Sequence, residues 1–283
     1  MTNPVARIRP DAQVSFDEAA RRPDRAAAVL PDGTFVHSDP HLVVVEKPSG
    51  ISTVFFDPEG MGASIARRAQ KGEELTLDAR VRQALAKKEK WRGDLGVVHR
   101  LDKETSGLIV FSRTWLAKKA LMQAFRFRHV HRRYLAIVHG EPQPGKIQSS
   151  FVEDRGDGLR GSVEKRHGRK HAIGNEKVEL AITHVEVIER LPGTHAGAPC
   201  TLIACRLETG RTHQIRIHLA EAGHPLLGDR VYSRGYDKPT IPAPRLMLHA
   251  EELGFVHPAT EKEMRWTSPL PEDMKKILAW LRD

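Results

Sequence analysis

The chain has 283 residues, 40% of them hydrophobic and 29% charged, which is the composition of a soluble globular protein with room for a sizeable core. The formal net charge of +9 favours an anionic partner, most commonly nucleic acid. The longest apolar runs, such as 42–45 and 107–111, are too short to span a bilayer, and the N-terminus lacks the apolar segment of a secretory signal. We therefore expect a cytoplasmic protein without membrane contact.

The first half of the chain alternates short apolar runs with polar segments. Residues 1–38 are polar and rich in alanine, arginine and proline, and they predict an extended or partly helical arm ahead of a domain at 39–283. The predicted elements that follow are a strand at 41–50 that ends in a Pro-Gly turn, a helix at 78–92, a strand through Val97 and Val98, and a strand at 108–112.

A basic stretch without any acidic residue occupies 113–133. Its seven cations are Arg113, Lys118, Lys119, Arg126, Arg128, Arg132 and Arg133. A helical apolar stripe is predicted within the stretch, formed by Leu116, Ala120, Leu121 and Phe125. Phe125 and Phe127 alternate with arginines, which favours a surface that follows nucleic-acid phosphates. A solvated helix face with two core aromatics would give the same pattern.

The second half predicts further strands and two helices. The elements are a strand at 132–140, an exposed hairpin or loop at 153–176, strands at 177–191 and 200–208, a helix within 209–224 whose inner face carries Ile215, Leu219 and Ala222, a late strand or pair of strands at 245–257, and a C-terminal helix that starts at Pro271. Strands and helices alternate irregularly, which favours one α+β domain on a largely antiparallel sheet.

Two residue types argue against a structural metal or a disulfide. Cys200 and Cys205 lie an odd number of residues apart in one predicted strand, so they are expected on opposite faces as buried thiols. His213 and His218 lie five residues apart, which is the wrong spacing for two ligands on one helix face. We therefore expect no metal site, and the chain also lacks the glycine-rich loop and Lys-Ser/Thr pair of a nucleoside-triphosphate site.

Asp102 lies in the segment HRLDKETSG, 99–107, between two apolar runs. An aspartate before a Thr-Ser-Gly turn often caps backbone N–H groups and has no chemical role. Two cations give it a second interpretation, because Arg100 lies two residues away and Arg216 is predicted at the edge of a cleft. A carboxylate kept ionised by an arginine can act as a nucleophile, although it can equally form a plain ion pair. Tyr134 could pack in the sheet, or stack on a base and assist a proton transfer.

Three segments together resemble the motifs of the RluA-type family of RNA pseudouridine synthases, in order and in separation. They are 99–107, 132–140 (RRYLAIVHG) and 209–229 (TGRTHQIRIHLAEAGHPLLGD). The segment 41–50 resembles the first strand and turn of that family, and 245–258 resembles its late strand. The resemblance extends from about residue 38 to residue 275.

The resemblance implies the isomerisation of uridine to pseudouridine in RNA, without metal or organic cofactor. It identifies Asp102 as the catalytic aspartate, Tyr134 as the active-site tyrosine and Arg216 as the partner arginine. Arg100 is the position that helps the target base leave its stack, and an enclosed site requires that the base be flipped out. The third motif adds Arg211, His213 and Gln214 to the expected RNA contacts. The implied fold is the pseudouridine synthase fold, a mostly antiparallel mixed sheet flanked by helices, with a central RNA-binding cleft.

The chain departs from the family pattern in two places. The 38-residue arm is too short for the S4 RNA-binding domain that many members carry, and 51–60 differs from the usual segment after the first turn. We expect a monomer that acts on a stem-loop of ribosomal or transfer RNA. Three alternatives remain: a non-catalytic RNA-binding or ribosome-assembly protein on the same scaffold, a carboxylate hydrolase of glycosidic bonds, and a basic DNA-binding module.

Overall fold

A computed structural model describes residues 30, 33–55, 74–165, 177–193 and 197–282 of the chain. These residues form one sheet in the order β1-β2-β4-β10-β5-β9-β8-β6-β7, with β3 paired to β4 and β11 paired to β10. The strands are β1 (Phe35–Ser38), β2 (Leu42–Lys47), β3 (Gly96–Val97), β4 (Ser106–Ser112), β5 (His131–His139), β6 (Gly145–Val152), β7 (Gly161–Ser162), β8 (Glu179–Leu191), β9 (Cys200–Leu207), β10 (Leu248–Val256) and β11 (Glu263–Thr267). Only the β4–β10 pair is parallel among these strands, so the expectation of a largely antiparallel α+β fold is confirmed.

Helices cover both faces of the sheet. In the described residues they are α1 (Leu77–Glu89), α2 (Trp115–Arg126), α3 (Gln214–Glu221) and α4 (Glu272–Arg282). Alternate residues of a strand point to opposite faces, and the core divides accordingly. The helices α1 and α3 pack on the face that holds Tyr134 and Cys205, while α2 and α4 pack on the opposite face. None of these helices has the length and hydropathy of a membrane span.

The two cysteines lie where their spacing predicts. Cys200 and Cys205 are buried free thiols, and they belong to core clusters on opposite faces of β9. Burial raises the pKa of each thiol to about 12, so both are protonated at neutral pH. They therefore act as small core residues.

Three expectations about local structure need correction. The sheet begins inside the predicted arm, because β1 pairs with β2, whereas 1–29 and 31–32 lie outside the described residues. In α2, the sequence predicts Leu116 on the inward face, but Leu116 is 73% exposed. The inward face carries Ala117 and Leu121 instead, which lie four residues apart. In α3, Ala222 was predicted to pack inward and is exposed, since the helix ends at Glu221. Of the predicted loop at 153–176, the part 166–176 lies outside the described residues.

Gly107 allows β4 to approach β10 closely just after the turn that holds Asp102. Gly107 pairs with Ala250 in the parallel ladder and has a φ of +113°. A Cβ atom at Gly107 would lie 2.2 Å from the carbonyl oxygen of Ala250. Both the backbone conformation and the available space therefore require glycine.

We expect Gly107→Ala to destabilise the protein by about 3 kcal/mol or more, because a strained φ and a backbone overlap act together. The free energy of unfolding in urea measures the effect. Gly235→Ala is the matched control, since a Cβ at Gly235 meets no atom within 4 Å and its φ is not positive. If Gly107→Ala were as stable as the control, the close approach of β4 and β10 would not be a constraint on the fold.

Candidate active site

A cleft of about 660 Å³ is lined by three segments that are distant in the sequence. They are 97–102 before β4, parts of 125–134 between α2 and β5, and 207–216 between β9 and α3. Asp102, Tyr134 and Arg216 all line this cleft. The sheet thus brings together the three residues that sequence analysis selects as candidates.

The turn that carries Asp102 is fixed by the last residue of β2 and by a residue shortly after that strand. The hydroxyl of Thr53 donates to the carbonyl oxygen of Leu101 at 2.8 Å and accepts from the backbone N–H of the same residue at 3.1 Å. The ammonium of Lys47 donates to the carbonyl oxygen of Lys103 at 2.9 Å. Both residues that flank Asp102 in sequence are therefore held through their backbones, and the carboxylate is left free to face the cleft.

Lys47 is completely buried and uses its ammonium as a backbone clamp. Its Nζ also donates to the carbonyl oxygens of Pro48 at 3.0 Å and Ile51 at 2.8 Å, so three carbonyl groups surround it. Burial lowers the pKa of Lys47 to about 7, and the charge of Asp102 opposes that shift. Three acceptors suit the three protons of an ammonium, which favours the charged form in this position.

Arg216 connects two carboxylates. Its Nε and Nη2 donate to the Oδ2 and Oδ1 atoms of Asp229 at 2.7 and 2.9 Å, and its Nη1 lies 3.8 Å from Oδ2 of Asp102. Burial alone would lower the pKa of Arg216, but the hydrogen bonds and charge of Asp229, with the charge of Asp102, raise it above its ordinary value. Asp229 therefore fixes the guanidinium while one nitrogen is directed toward Asp102.

His213 and Tyr232 contact each other beside the Arg216 guanidinium and the Asp102 carboxylate. Nδ1 of His213 lies 2.9 Å from the hydroxyl of Tyr232, and its Nε2 lies 4.0 Å from Oδ1 of Asp102. The guanidinium of Arg216 lies over the Tyr232 ring, 5.1 Å from its centroid. Burial lowers the pKa of His213, so the imidazole is neutral at pH 7 and can exchange hydrogen bonds with the tyrosine.

Tyr134 forms part of the cleft wall on β5. Its side chain is buried in the same core cluster as Ala136 and Val138. Burial raises the pKa of Tyr134 above its ordinary value, and the nearby guanidinium of Arg132 opposes that shift. The phenol is therefore neutral, and an aromatic group lines the cleft together with the carboxylate of Asp102.

The sequence profile of a family described as RNA pseudouridylate synthase matches residues 41–221, which include Asp102, Tyr134 and Arg216. The chain belongs to the RNA pseudouridylate synthase family. The reaction implied by the resemblance of the motifs, conversion of uridine to pseudouridine in RNA, is therefore the reaction of its family.

Curated relatives of the family agree with this membership. The chain is 34% identical over 250 residues to the ribosomal large subunit pseudouridine synthase D of Nitrosomonas europaea, a match that covers 87% of this chain and 64% of that protein. It is 33% identical to the synthase D of Zymomonas mobilis, with 87% and 72% covered. An uncharacterized RNA pseudouridine synthase, YlyB of Bacillus subtilis, is 38% identical over 66% of this chain and 56% of that protein.

Two solved structures show the same fold. Human RNA Pseudouridylate Synthase Domain Containing 4 matches with a TM-score of 0.63 at 24% identity, covering 88% of this chain and 92% of that one. Human RNA Pseudouridylate Synthase Domain Containing 1 matches with a TM-score of 0.57 at 23% identity, covering 88% and 94%. The pseudouridine synthase fold expected from the motifs is confirmed.

The basic stretch is divided among several surfaces of this synthase-family fold. Arg126, Arg128 and Arg132 line the cleft with Arg100, whereas Lys118 and Lys119 are exposed on α2 and do not. Arg128 also pairs with Glu208 on the surface at 2.9 Å.

Arg113 and Arg133 are not brought to the cleft. The guanidinium of Arg113 pairs with Glu89 at 2.8 Å and lies over the ring of Trp91, at the far end of β4 from Asp102. Arg133 pairs with Glu251 and points away from the face that holds Tyr134, because adjacent strand residues alternate. These two side chains lie outside the cleft lining, and the expectation that they contact RNA stays a prediction.

Arg211, His213 and Gln214 of the third motif all line the cleft, but their side chains differ in how many protein contacts they make. The amide of Gln214 is buried and bonds to Thr209, Ile182 and Thr183, so it supports the fold of the segment. Arg211 pairs with Glu179 at 3.1 Å. Among the three, His213 is the one within 4.0 Å of Asp102.

Sequence reasoning did not identify Asp229, Tyr232, Lys47 or Thr53 as parts of the site. Asp229 and Lys47 lie inside the family-like segments 209–229 and 41–50, so the resemblance is a signal that could find them. Thr53 belongs to the divergent segment 51–60, of which 56–60 lies outside the described residues.

We expect loss of the cations Lys118, Lys119, Arg126 and Arg128 to weaken RNA binding and to flatten its salt dependence. Each lost phosphate contact should reduce the slope of log K against log [salt] by about one unit. The four-site alanine variant is compared with a variant that loses four exposed lysines outside both the basic stretch and the cleft lining, which are Lys238, Lys262, Lys275 and Lys276. Equal slopes for the two variants would mean that the basic stretch is only a solvated surface.

Proposed function

We propose that the chain isomerises a uridine of structured RNA with Asp102 as the nucleophile. The observation that carries the proposal is the placement of the Asp102 carboxylate in the cleft, on a turn clamped by Thr53 and Lys47, with Nη1 of Arg216 at 3.8 Å. In the described residues, the turn is closed by a backbone hydrogen bond, not by a cap from the Asp102 carboxylate. The hydrogen bond of this turn runs from the N–H of Thr105 to the backbone carbonyl of Asp102, at 3.2 Å.

The proposed reaction breaks the C1′–N1 bond of a flipped-out uridine and forms a C1′–C5 bond. The proton leaves C5 and N1 gains one, so the isomerisation is balanced without oxidant or co-reactant. Asp102 adds to C6 of the uracil or acts at the sugar, and Arg216, with Nη1 at 3.8 Å, aims its carboxylate. Tyr134 stacks on the base and assists removal of the C5 proton. Arg100 helps the base leave its stack, at a cost of about a few kcal/mol that the phosphate contacts offset.

The proposed substrate is large-subunit ribosomal RNA, with a stem-loop of transfer RNA as the alternative. The support is the name of the relatives, ribosomal large subunit pseudouridine synthase D, at 33–34% identity. The proposed working form is a cytoplasmic monomer that needs no metal, with a catalytic domain at 39–283 to which β1 also belongs.

Pseudouridine mapping tests this proposal. Ribosomal and transfer RNA are compared between cells with the gene, without it, and with the Asp102→Asn gene. We expect at least one pseudouridine that disappears without the gene and is restored only by the unchanged gene. Restoration by the Asp102→Asn gene would show a non-catalytic role, and unchanged maps in both RNA classes would contradict the proposed substrates.

A further inference from the structure

Arg132 is an arginine of the cleft wall that is only 9% exposed. It lies on β5 two residues before Tyr134, so both side chains point to the same face of the sheet. Three arginines are buried in the described part of the chain, namely Arg80, Arg132 and Arg216. Arg80 has Glu74 within 3.7 Å, and Arg216 has Asp229 and Asp102, so a carboxylate accompanies each of these two.

No carboxylate of the described residues pairs with Arg132. Its Nε is buried without a hydrogen-bond partner, and its Nη2 makes only long bonds to the carbonyl oxygens of Leu207 at 3.4 Å and Thr209 at 3.5 Å. The ring of Phe125 lies 5.5 Å from the guanidinium.

The titratable neighbours supply no counter-charge either. Tyr134 is neutral because burial raises its pKa, and burial lowers the pKa of His99 to about 3, so that imidazole is also neutral. An arginine remains protonated even where burial lowers its pKa, as it does for Arg132. Within the described residues, Arg132 therefore holds a positive charge in the wall of the cleft that no carboxylate pairs with, which is costly unless an anion arrives.

We propose that Arg132 binds a phosphodiester next to the target uridine and thereby positions that nucleotide for Asp102. The proposal rests on the proposed function and names the part of the substrate that this wall recognises. The phosphodiester is the anionic group of RNA, and a cleft of about 660 Å³ has room for a nucleotide with its phosphate. Two residues along a strand span about 6.6 Å, which is comparable to the separation of a base from its own phosphate, so Tyr134 can meet the base while Arg132 meets the phosphate.

The test uses RNA in which one phosphate near the mapped target uridine is neutral. A single methylphosphonate linkage replaces the phosphate on the 5′ side or on the 3′ side, and the control RNA has charged linkages with the same sugars. Dissociation constants are measured by fluorescence anisotropy and rates by single turnover. The unchanged protein should bind one of the two neutral RNAs about 10- to 100-fold more weakly than the charged control RNA. The loss corresponds to the hydrogen bonds that Arg132 donates to a charged phosphate.

Arg132→Met should bind charged and neutral RNA equally, with the weak affinity of the unchanged protein for the neutral RNA. Arg132→Lys keeps the charge and should keep part of the discrimination. Arg206→Met is the control, because Arg206 is exposed on the neighbouring strand β9 and does not line the cleft. It should discriminate like the unchanged protein.

Thermal unfolding separates this role from a structural one. Removal of an uncompensated buried charge should leave Arg132→Met at least as stable as the unchanged protein, whereas Arg80→Met, which loses a paired arginine, should unfold at a lower temperature. Equal destabilisation of the two variants would contradict the proposal. So would full discrimination by Arg132→Met, or no discrimination by the unchanged protein. Turnover of the charged RNA reports on the proposed function separately from these binding ratios.

Discussion

Replacing Asp102 with asparagine is expected to lower the rate of pseudouridine formation by at least about 10⁴-fold, while the affinity for RNA changes little. Asparagine keeps the shape of the side chain and removes the charge that the proposed nucleophile requires. The turn should persist, because Thr53 and Lys47 hold it through the backbone of Leu101 and Lys103. We expect affinity to come from phosphate contacts spread over the surface, which this change does not touch. Tritium release from RNA labelled at uridine C5 measures turnover.

Glu104→Gln is the matched control for Asp102→Asn. Glu104 is an exposed carboxylate two residues further along the same turn, and its backbone carbonyl accepts a hydrogen bond from the Ser49 hydroxyl at 2.7 Å. The control removes the same charge and should retain turnover. Asp102→Ala guards against deamidation of the asparagine back to aspartate. Appreciable tritium release by pure Asp102→Ala would contradict the assignment of the nucleophile.

The sequence predicts the local structure of the site better than its long-range contacts. The turn at Asp102 follows from two apolar runs with a Thr-Ser-Gly between them, and the structure has β3, the turn and β4 in those places. The approach of Arg216 to Asp102 joins residues that are distant in sequence, so periodicity cannot predict it. The expectation that Arg216 lies beside Asp102 comes from the resemblance to the family. The Asp229 carboxylate lies in the third family-like segment, but periodicity does not predict that a helix and a turn bring it onto Arg216.

The basic stretch shows a different limit. A run of cations in sequence looks like one surface, but the chain changes from strand to helix to strand within it. Successive side chains are about 100° apart around a helix and about 180° apart along a strand. Consequently Arg113 ends beside Glu89, Lys118 faces solvent, and Arg132 enters the cleft wall. Composition predicts the sign of the charge and an anionic partner, but it cannot predict which cations meet that partner.

Arg216→Ala is expected to lower the single-turnover rate at saturating RNA by about 10²- to 10³-fold, with a much smaller effect on affinity. The change removes the cation that lies 3.8 Å from the Asp102 carboxylate. It also leaves Asp229 buried without its partner, which costs about 3–5 kcal/mol of folding stability. Arg216→Lys keeps a charge and should recover part of the rate, which distinguishes a charge effect from a loss of packing.

Asp229→Asn is expected to act through Arg216 and to lower the rate by a smaller factor than Arg216→Ala. Asparagine can still accept one hydrogen bond, but it no longer holds the guanidinium as an ion pair.

Burial alone would raise the pKa of Asp229, yet the hydrogen bonds and charge of Arg216, with the N–H groups of Tyr232 and Val231, lower it below its ordinary value. A carboxylate whose pKa is lowered by folding stabilises the protein above its unfolded pKa of about 3.9, and that stability is lost as the pH falls through the folded pKa. The unchanged protein should therefore lose more stability than Asp229→Asn when urea unfolding is compared at pH 7 and below pH 4. If Asp229→Asn kept the full rate and the same acid dependence of stability, Asp229 would have no part in positioning Arg216.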